Sequence, residues 1–401
     1  MKLYYRAVTQ NGKTIRGIID AKDVQEAAHY LRTHQLIPIT IIPESQRGLA
    51  KFFPFLDRAS NSDLIFFTRQ LSSTLTSGLT LMQSLQIMQN QIQNKKMAEI
   101  VQNIILDVEN GSTLSTAIEK SPQVFSPIYI ALIRTAETSG LLDKTLLRLA
   151  DNLEKEDKIK RTIRGALLYP VIVVVMMILV MIVMMIFVIP QLTSLYDNLS
   201  IDLPLTTQVV IGLSNIFVYD WPYVIIVSLL IGYFFKKWYQ QDSGRHTVDK
   251  YLLRVPVFGK LLQETIMTEF TRTLGILISS GSLVVDSLIR SSDTVGNVIY
   301  KDAITLVAKR VEKGIDMGDA MEASHLFPAI VIEMVKIGEQ TGKMDESLLR
   351  ASEYFEREVD ETVKTLTTLL EPAIMVILAV GVGFLIFAII TPIYNLLSSI
   401  Q

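Results

Sequence analysis

Phe67-Thr-Arg-Gln-Leu71, followed by Ser77-Gly78 and Ser84-Leu85, returns later in the chain as Phe270-Thr-Arg-Thr-Leu274, Ser280-Gly281 and Ser287-Leu288. Every pair is 203 residues apart (270 less 67). The offset holds through Val108, Glu109, Gly111 and Ala117, which meet Val311, Glu312, Gly314 and Ala320. One deletion then shortens it to 202, where Phe125, Glu137, Gly140, Asp143, Leu146 and Leu147 meet Phe327, Glu339, Gly342, Asp345, Leu348 and Leu349. Pro170 matches Pro372 and Pro190 matches Pro392, so prolines bracket an apolar run in each copy. A helical module with a membrane anchor, written twice in tandem, has the layout of a scaffold rather than of a single-site enzyme.

The anchors follow from composition. Val171–Ile189 is apolar throughout, and Ala373–Ile390 is broken only by Gly381 and Gly383. About 20 such residues in a helix cross roughly 30 Å of hydrocarbon. A buried core helix is the alternative, but such helices keep a polar stripe, and these runs have none. Gly381 and Gly383 predict close helix approach within the bilayer. Glu371, beside Pro372, reads as an acid at the N-terminus of the last span, a favourable place for it. A third, shorter run from Trp221 ends in Lys236-Lys237-Trp238-Tyr239, an interfacial girdle with lysines able to snorkel.

Charge sets the orientation. No Lys or Arg occurs from Gly165 to Phe235, while Lys155, Lys158, Lys160, Arg161 and Arg164 precede that stretch and Lys236, Lys237, Arg245, Lys250 and Arg254 follow it. After Lys364 the chain has no basic residue. The positive-inside rule then places both modules in the cytoplasm and requires three spans. The middle span brings the chain back, so that the second copy repeats the orientation of the first; the repeats are parallel, unlike the inverted repeats of many secondary transporters.

The expected architecture is a mainly α integral membrane protein. It has a small N-terminal ββαβ unit with its linker (1–58), a first cytoplasmic helical-bundle repeat (59–168), transmembrane helix 1 (169–190) and an outward-facing loop (191–220). Transmembrane helix 2 (221–238), a second cytoplasmic repeat (239–370), transmembrane helix 3 (371–392) and an outward tail (393–401) follow. In the N-terminal unit, Asn11-Gly12 predicts a hairpin turn, Asp23 with Glu26 a capping box, and Pro38 an edge strand. In each repeat, six short helices are predicted, the sixth running from Asp143 straight into the first span. Glu154 with Lys158, Glu156 with Lys160, and Asp360 with Lys364 have the spacing of supporting i,i+4 pairs.

Chemistry-bearing constellations are sparse. The chain has no cysteine, and its four histidines (29, 34, 246, 325) never join carboxylates at metal-ligand spacing. Gly338-Glu-Gln-Thr-Gly342-Lys-Met344 has one residue too few between its glycines for a phosphate loop, and Met344 stands where Ser or Thr must reach magnesium. Met1–Leu31 lacks the apolar core of a signal peptide. A net charge of −2 argues against nucleic acid as a partner. No ionisable residue lies within a core span, where a coupled transporter would place one.

Two recurring segments stand out, Glu137-Thr-Ser-Gly140-Leu-Leu-Asp143 and Glu339-Gln-Thr-Gly342-Lys-Met-Asp345. Each reads as a glycine closing one helix and an aspartate capping the next. The glutamate falls on a last helical turn, where the dipole disfavours a negative charge. Arg69 and Arg272, also in register, are its expected partners. These eight residues are the candidates for repeat core or partner contact.

Asp249-Lys-Tyr-Leu-Leu-Arg-Val-Pro-Val-Phe-Gly-Lys-Leu261, Glu269-Phe-Thr-Arg-Thr-Leu274 and Ser280-Gly281 closely resemble the signature of the GspF/PilC family, the inner-membrane platform proteins of type II secretion systems and type IV pili. Phe67-Thr-Arg-Gln-Leu71 and Ser77-Gly78 resemble the first copy of that family's repeat, and Tyr5-Arg-Ala7, Gly12-Lys13 and Gly17 its N-terminal region. Ser282-Leu283 departs from it, since the family has a bulkier apolar residue after the glycine. The resemblance covers essentially the whole chain. It implies a non-enzymatic, multi-pass platform in the bacterial inner membrane with a cytoplasmic N-terminus and no cofactor. It further implies a hexameric cytoplasmic assembly ATPase, pilin or pseudopilin subunits and other inner-membrane assembly proteins as partners, with membrane lipid around a dimer or higher homo-oligomer. The rival class is a membrane transport protein or channel subunit.

Overall fold

The computed structural model describes residues 2–9, 14–21, 24–34, 36–43, 59–191, 194, 212 and 221–399. The expected Asn11-Gly12 turn, the Asp23 cap, the 44–58 linker and most of the 191–220 loop lie outside these residues. The chain forms two compact units that divide between Ile130 and Ala131.

The first unit opens with β1 (Lys2–Thr9), β2 (Thr14–Asp20), α1 (Val24–Thr33) and β3 (Leu36–Pro43). The sheet is antiparallel in the order β2-β1-β3. β3 is therefore an edge strand, as Pro38 requires, because proline has no N–H for a second neighbour. The ladder slips at the same place: Arg6 faces Thr40 and Ala7 faces Pro38, leaving Ile39 as an extra residue. Ala7, Ala27 and Leu31 are buried.

Helices follow: α2 (Asn61–Thr76), α3 (Leu81–Gln91), α4 (Lys95–Glu109), α5 (Leu114–Glu119) and α6 (Pro127–Ser139), which crosses the unit boundary. Local sequence starts each of the first four. Ser60 with Asp63 and Thr80 with Gln83 form capping boxes, and Asn94 and Thr113 accept from the first turns of α4 and α5. Phe67 and Phe125 are fully buried and meet edge to face at 5.6 Å, with the Tyr129 hydroxyl 3.1 Å from Thr68 Oγ1.

The second unit holds α7 (Leu142–Val183), a π-helical turn (Met184–Val188), α8 (Trp221–Tyr239), α9 (Asp242–Leu252), α10 (Phe258–Ser279), α11 (Val284–Thr294), α12 (Val298–Val311), α13 (Met317–Glu322), α14 (Ala329–Thr341) and α15 (Met344–Ser399). α10–α15 repeat the order of α2–α7. Phe270 lies 5.8 Å from Phe327, the counterparts of Phe67 and Phe125. The register extends to the backbone. Gly78/Gly281, Gly111/Gly314 and Gly140/Gly342 all have positive φ, each pair agreeing within two degrees. At each, the N–H one residue on reaches back five residues, as Leu141 N to Ala136 O and Lys343 N to Gly338 O, both 3.0 Å. This left-handed closure is open to glycine at little cost and strained for other residues.

α7 and α15 are continuous through Pro170 and Pro372. Glu371 is accordingly inside a helix and not at a helix start, which corrects the expectation. Leu142–Gln191 and Met344–Gly383 are long and apolar enough to cross a membrane, and only 11% of the most apolar window of each is buried. The core-helix alternative fails on that exposure. α8 is exposed from Pro222 to Trp238 but shorter, and its Pro222 sits in the first turn, where proline is tolerated.

The two long helices lie side by side. Lys155 reaches Glu353 at 3.6 Å, Lys158 reaches Glu356 at 3.2 Å, and a Cβ on Gly381 would meet Met177 Sδ at 3.4 Å. Partner numbers rise together along both helices, so α7 and α15 run parallel. Of the two glycines expected to allow close approach, Gly381 faces α7 at a distance where a Cβ would make ordinary contact, and Gly383 faces open space.

Candidate functional site

Ile159 of α7, Leu261 of α10 and Val359, Val363 and Leu366 of α15 form a buried apolar cluster just ahead of the spans. Polar groups close over it on the side away from the apolar runs. Arg272, 4% exposed on α10, donates to Glu356 Oε2 at 2.7 Å. Glu356 also takes Lys158, which stands 3.7 Å from Asp360. Lys260 bridges Glu264 at 3.4 Å and Glu358 at 3.7 Å. Burial lowers the Arg272 pKa, and Glu356 opposes that shift most strongly.

Glu269 is the uncompensated member. Burial raises its carboxyl from the ordinary 4.5 to about 7, Glu156 adds to the rise, and Lys160 and Arg272 only partly offset it. At neutral pH it is therefore partly protonated. Its counterpart in the first copy is Phe66, which is exposed. Glu356 does have a counterpart, Glu154, at the offset of 202 (356 less 154).

A second assembly ties α14 to α13. Glu339 accepts from the backbone N–H of Met317 and of Gly318, the latter at 2.9 Å. These amides open α13 and have no partner within it, so the carboxylate satisfies two orphan donors at once. Gly318 keeps the approach open, since a Cβ there would fall 2.4 Å from Lys336 Cγ. Lys336 in turn holds Glu322 at 2.6 Å and Asp319 at 3.1 Å, and its pKa is raised by those hydrogen bonds.

The structure thus groups the predicted residues differently from the expectation. Glu339 is compensated by the start of α13, and Arg272 by Glu356; the expected Glu339–Arg272 pair does not form. Gly140 and Gly342 take the left-handed conformation. Asp143 and Asp345 fall in the first turns of α7 and α15 rather than at their caps, and Leu141, the residue before α7, makes no side-chain cap. Arg69 and Glu137 are half-buried, on α2 and on the last turn of α6. Of the expected i,i+4 pairs, Glu156–Lys160 is present, but Lys158 turns instead to α15 and takes Asp360. Sequence reasoning missed Glu356, Glu264 and Glu269. The repetition of Glu154 as Glu356 was the available signal. No group of three His, Cys, Asp or Glu able to hold a metal ion occurs among the described residues.

A family profile described as "Type II secretion system (T2SS), protein F" matches residues 67–190 and again 270–392, and the profile of that family's N-terminal domain matches 4–42. The chain belongs to the type II secretion system protein F family. The two matches begin at Phe67 and Phe270 and end at Pro190 and Pro392, the limits of the internal repeat. Type IV pilus assembly protein PilC of Thermus thermophilus is 34% identical over 402 residues, covering 99% of this chain and 98% of that protein. Type IV pilus assembly protein TapC of Aeromonas hydrophila is 34% identical over 398 residues, covering 98% and 94%. Type II secretion system protein F of Vibrio cholerae is 26% identical over 396 residues, covering 98% and 97%.

Two outcomes follow from the charge cluster. Glu356→Gln removes the carboxylate that Arg272 bonds directly and leaves only the more distant Glu156, Glu269 and Glu353, whereas Arg272→Met leaves Glu356 still facing Lys158. Breaking a buried pair from one side costs about 3–5 kcal/mol, so Glu356→Gln is expected to lower the thermal midpoint of detergent-purified protein more than Arg272→Met. The second concerns pH. The folded-state pKa of Glu269 lies above its unfolded value, so ionising it opposes folding: no cost below about pH 4.5, a growing cost up to 7, and a constant one beyond. That ceiling is about 3 kcal/mol. Glu269→Gln is expected to raise the midpoint at pH 8 and to leave it unchanged near pH 4.5.

Proposed function

We propose that this member of the family is the inner-membrane platform of a type IV pilus or type II secretion (pseudopilus) assembly machine, without enzymatic activity of its own. It couples a hexameric cytoplasmic ATPase to the extraction of pilin or pseudopilin subunits and their addition to a fibre. The observation that carries this reading is the parallel course of α7 and α15. If both apolar runs cross the bilayer in the same direction, the chain must return once between them. α8, with Lys236 and Lys237 in its last turn, is the segment fitted to do so.

The resulting topology has three spans. The N-terminal unit (1–58) and both bundles (59–168 and 239–370) lie in the cytoplasm, and the 191–220 loop and 393–401 tail lie outside. Most of the folded mass then faces the side where an ATPase works. The N-terminal unit and the left-handed turns at Gly140–Asp143 and Gly342–Asp345 are the surfaces offered to partners. Glu339 serves the second by fastening the end of α14 to the start of α13. A channel is less well supported, because the described parts of the three apolar helices present no charged path.

Co-purification tests the reading. The full-length protein in mild detergent is expected to hydrolyse no ATP alone and to bring down an assembly ATPase made in the same cells. Recovery of the ATPase at background level, with the membrane protein intact, would overturn the coupling role. Ion flux through protein-bearing liposomes above that of empty ones would favour the channel instead.

A further inference from the structure

The turn between α9 and α10, Arg254-Val-Pro-Val-Phe-Gly259, is built under strain. Val257 has φ 65° and ψ −52°, and Phe258 N donates to Pro256 O at 2.8 Å across it. This tight three-residue turn is rare and costly for a β-branched residue. Gly259 permits it, since a Cβ there would lie 2.2 Å from Leu253 O.

The strain sorts the side chains. Val257 turns inward and packs on the cluster of Ile159, Leu261, Val359, Val363 and Leu366, on which Ala166, Leu167 and Leu370 also pack. Its neighbours turn outward: Val255 is 41% and Phe258 44% exposed, with Tyr251 at 64% and Leu252 at 45% on the end of α9. Four large apolar side chains are thus exposed together within eight residues, and exposed Lys250 and Arg254 are interleaved with them.

Position identifies what covers this patch. Leu167 and Leu370 precede the apolar runs at Val171 and Ala373 by four and three residues, about 6 and 5 Å of helix. The polar layer of a bilayer is about 5–8 Å thick on each side, so the membrane-side edge of the cluster that Val257 joins reaches headgroup depth. The other end of the segment is held at the same level. Only two residues, Gln240 and Gln241, separate α8 from α9, and a Cβ on Gly244 would strike Trp238 O at 2.0 Å, so α9 leaves the end of α8 without slack.

We propose that the α9–α10 elbow is a lipid contact. Tyr251, Leu252, Val255 and Phe258 rest at the boundary between headgroups and acyl chains of the bilayer that the molecule spans, and Lys250 and Arg254 reach its phosphates. The elbow fixes the depth and tilt at which the second bundle hangs below the membrane. The inference rests on the membrane-spanning reading of α7 and α15 given above.

Because the chain has no cysteine, single nitroxide labels can be attached without removing one. Full-length protein carrying Val255→Cys or Phe258→Cys is labelled in vesicles of phosphatidylethanolamine and phosphatidylglycerol. Collisions with oxygen are compared with those of a water-soluble nickel chelate. Val175→Cys, exposed in the apolar run of α7, sets the lipid limit. Leu283→Cys, 79% exposed beyond the far end of α10, sets the aqueous limit. Labels at 255 and 258 are expected to fall between these limits. If they match 283 while 175 remains in lipid, the elbow faces water or an absent protein partner and this proposal fails alone. If 175 also matches 283, the membrane reading fails and takes the proposal with it.

Discussion

The parallel seam between α7 and α15 is the constraint on which the rest depends. Both helices are unbroken from a bundle's last helix into an apolar run, and they are fastened along one edge. Ile159, Val359, Val363 and Leu366 exclude water there, and Lys155 and Lys158 meet Glu353, Glu356 and Asp360. The lysine pairs are exposed and individually worth a few tenths of a kcal/mol to about 1. Their value is register: they permit one alignment of the two helices and oppose slipped ones. Apolar burial supplies the attraction.

Duplication explains why such a seam can exist. Six helices of one copy recur in the other with the same three left-handed closures and the same pair of buried phenylalanines. Two differences between the copies fall at or beside the seam. The second copy half-buries Glu269 where the first exposes Phe66, and it replaces Lys158 by Asp360 at the matching position (360 less 158 is 202), which turns like residues into a complementary pair. A symmetric repeat would have placed two lysines or two aspartates opposite each other. Departure from symmetry at this position adds one complementary pair to those that set the register of the copies' last helices.

Much of the fold was legible in the chain because its signals are local. Gly140 and Gly342 end helices and Pro38 marks an edge, all through groups within a few residues. The continuity of α7 was legible too, from the lack of any stop between Leu153 and Leu168. The site was less so. Glu339 is held by the opening amides of α13, and backbone donors leave no trace in a residue pattern. Lys158 sits at i+4 from Glu154, so local spacing offered a partner that the packing of α15 displaced. Glu371 beside a proline read as a helix start, since the sequence could not show that α15 passes through Pro372, with its freed carbonyl at the edge of an apolar run.

The central claim is that both bundles hang on the same side of the membrane, with α8 returning the chain between them. Single cysteines at Gln102, Lys309 and Asp202, placed in this cysteine-free chain and exposed in intact cells to a thiol reagent that cannot cross the inner membrane, test it most directly. The account expects Asp202→Cys to be labelled and the other two to react only after the cells are opened. Labelling of Lys309→Cys in intact cells, with Gln102→Cys protected, would place the copies on opposite sides and contradict it.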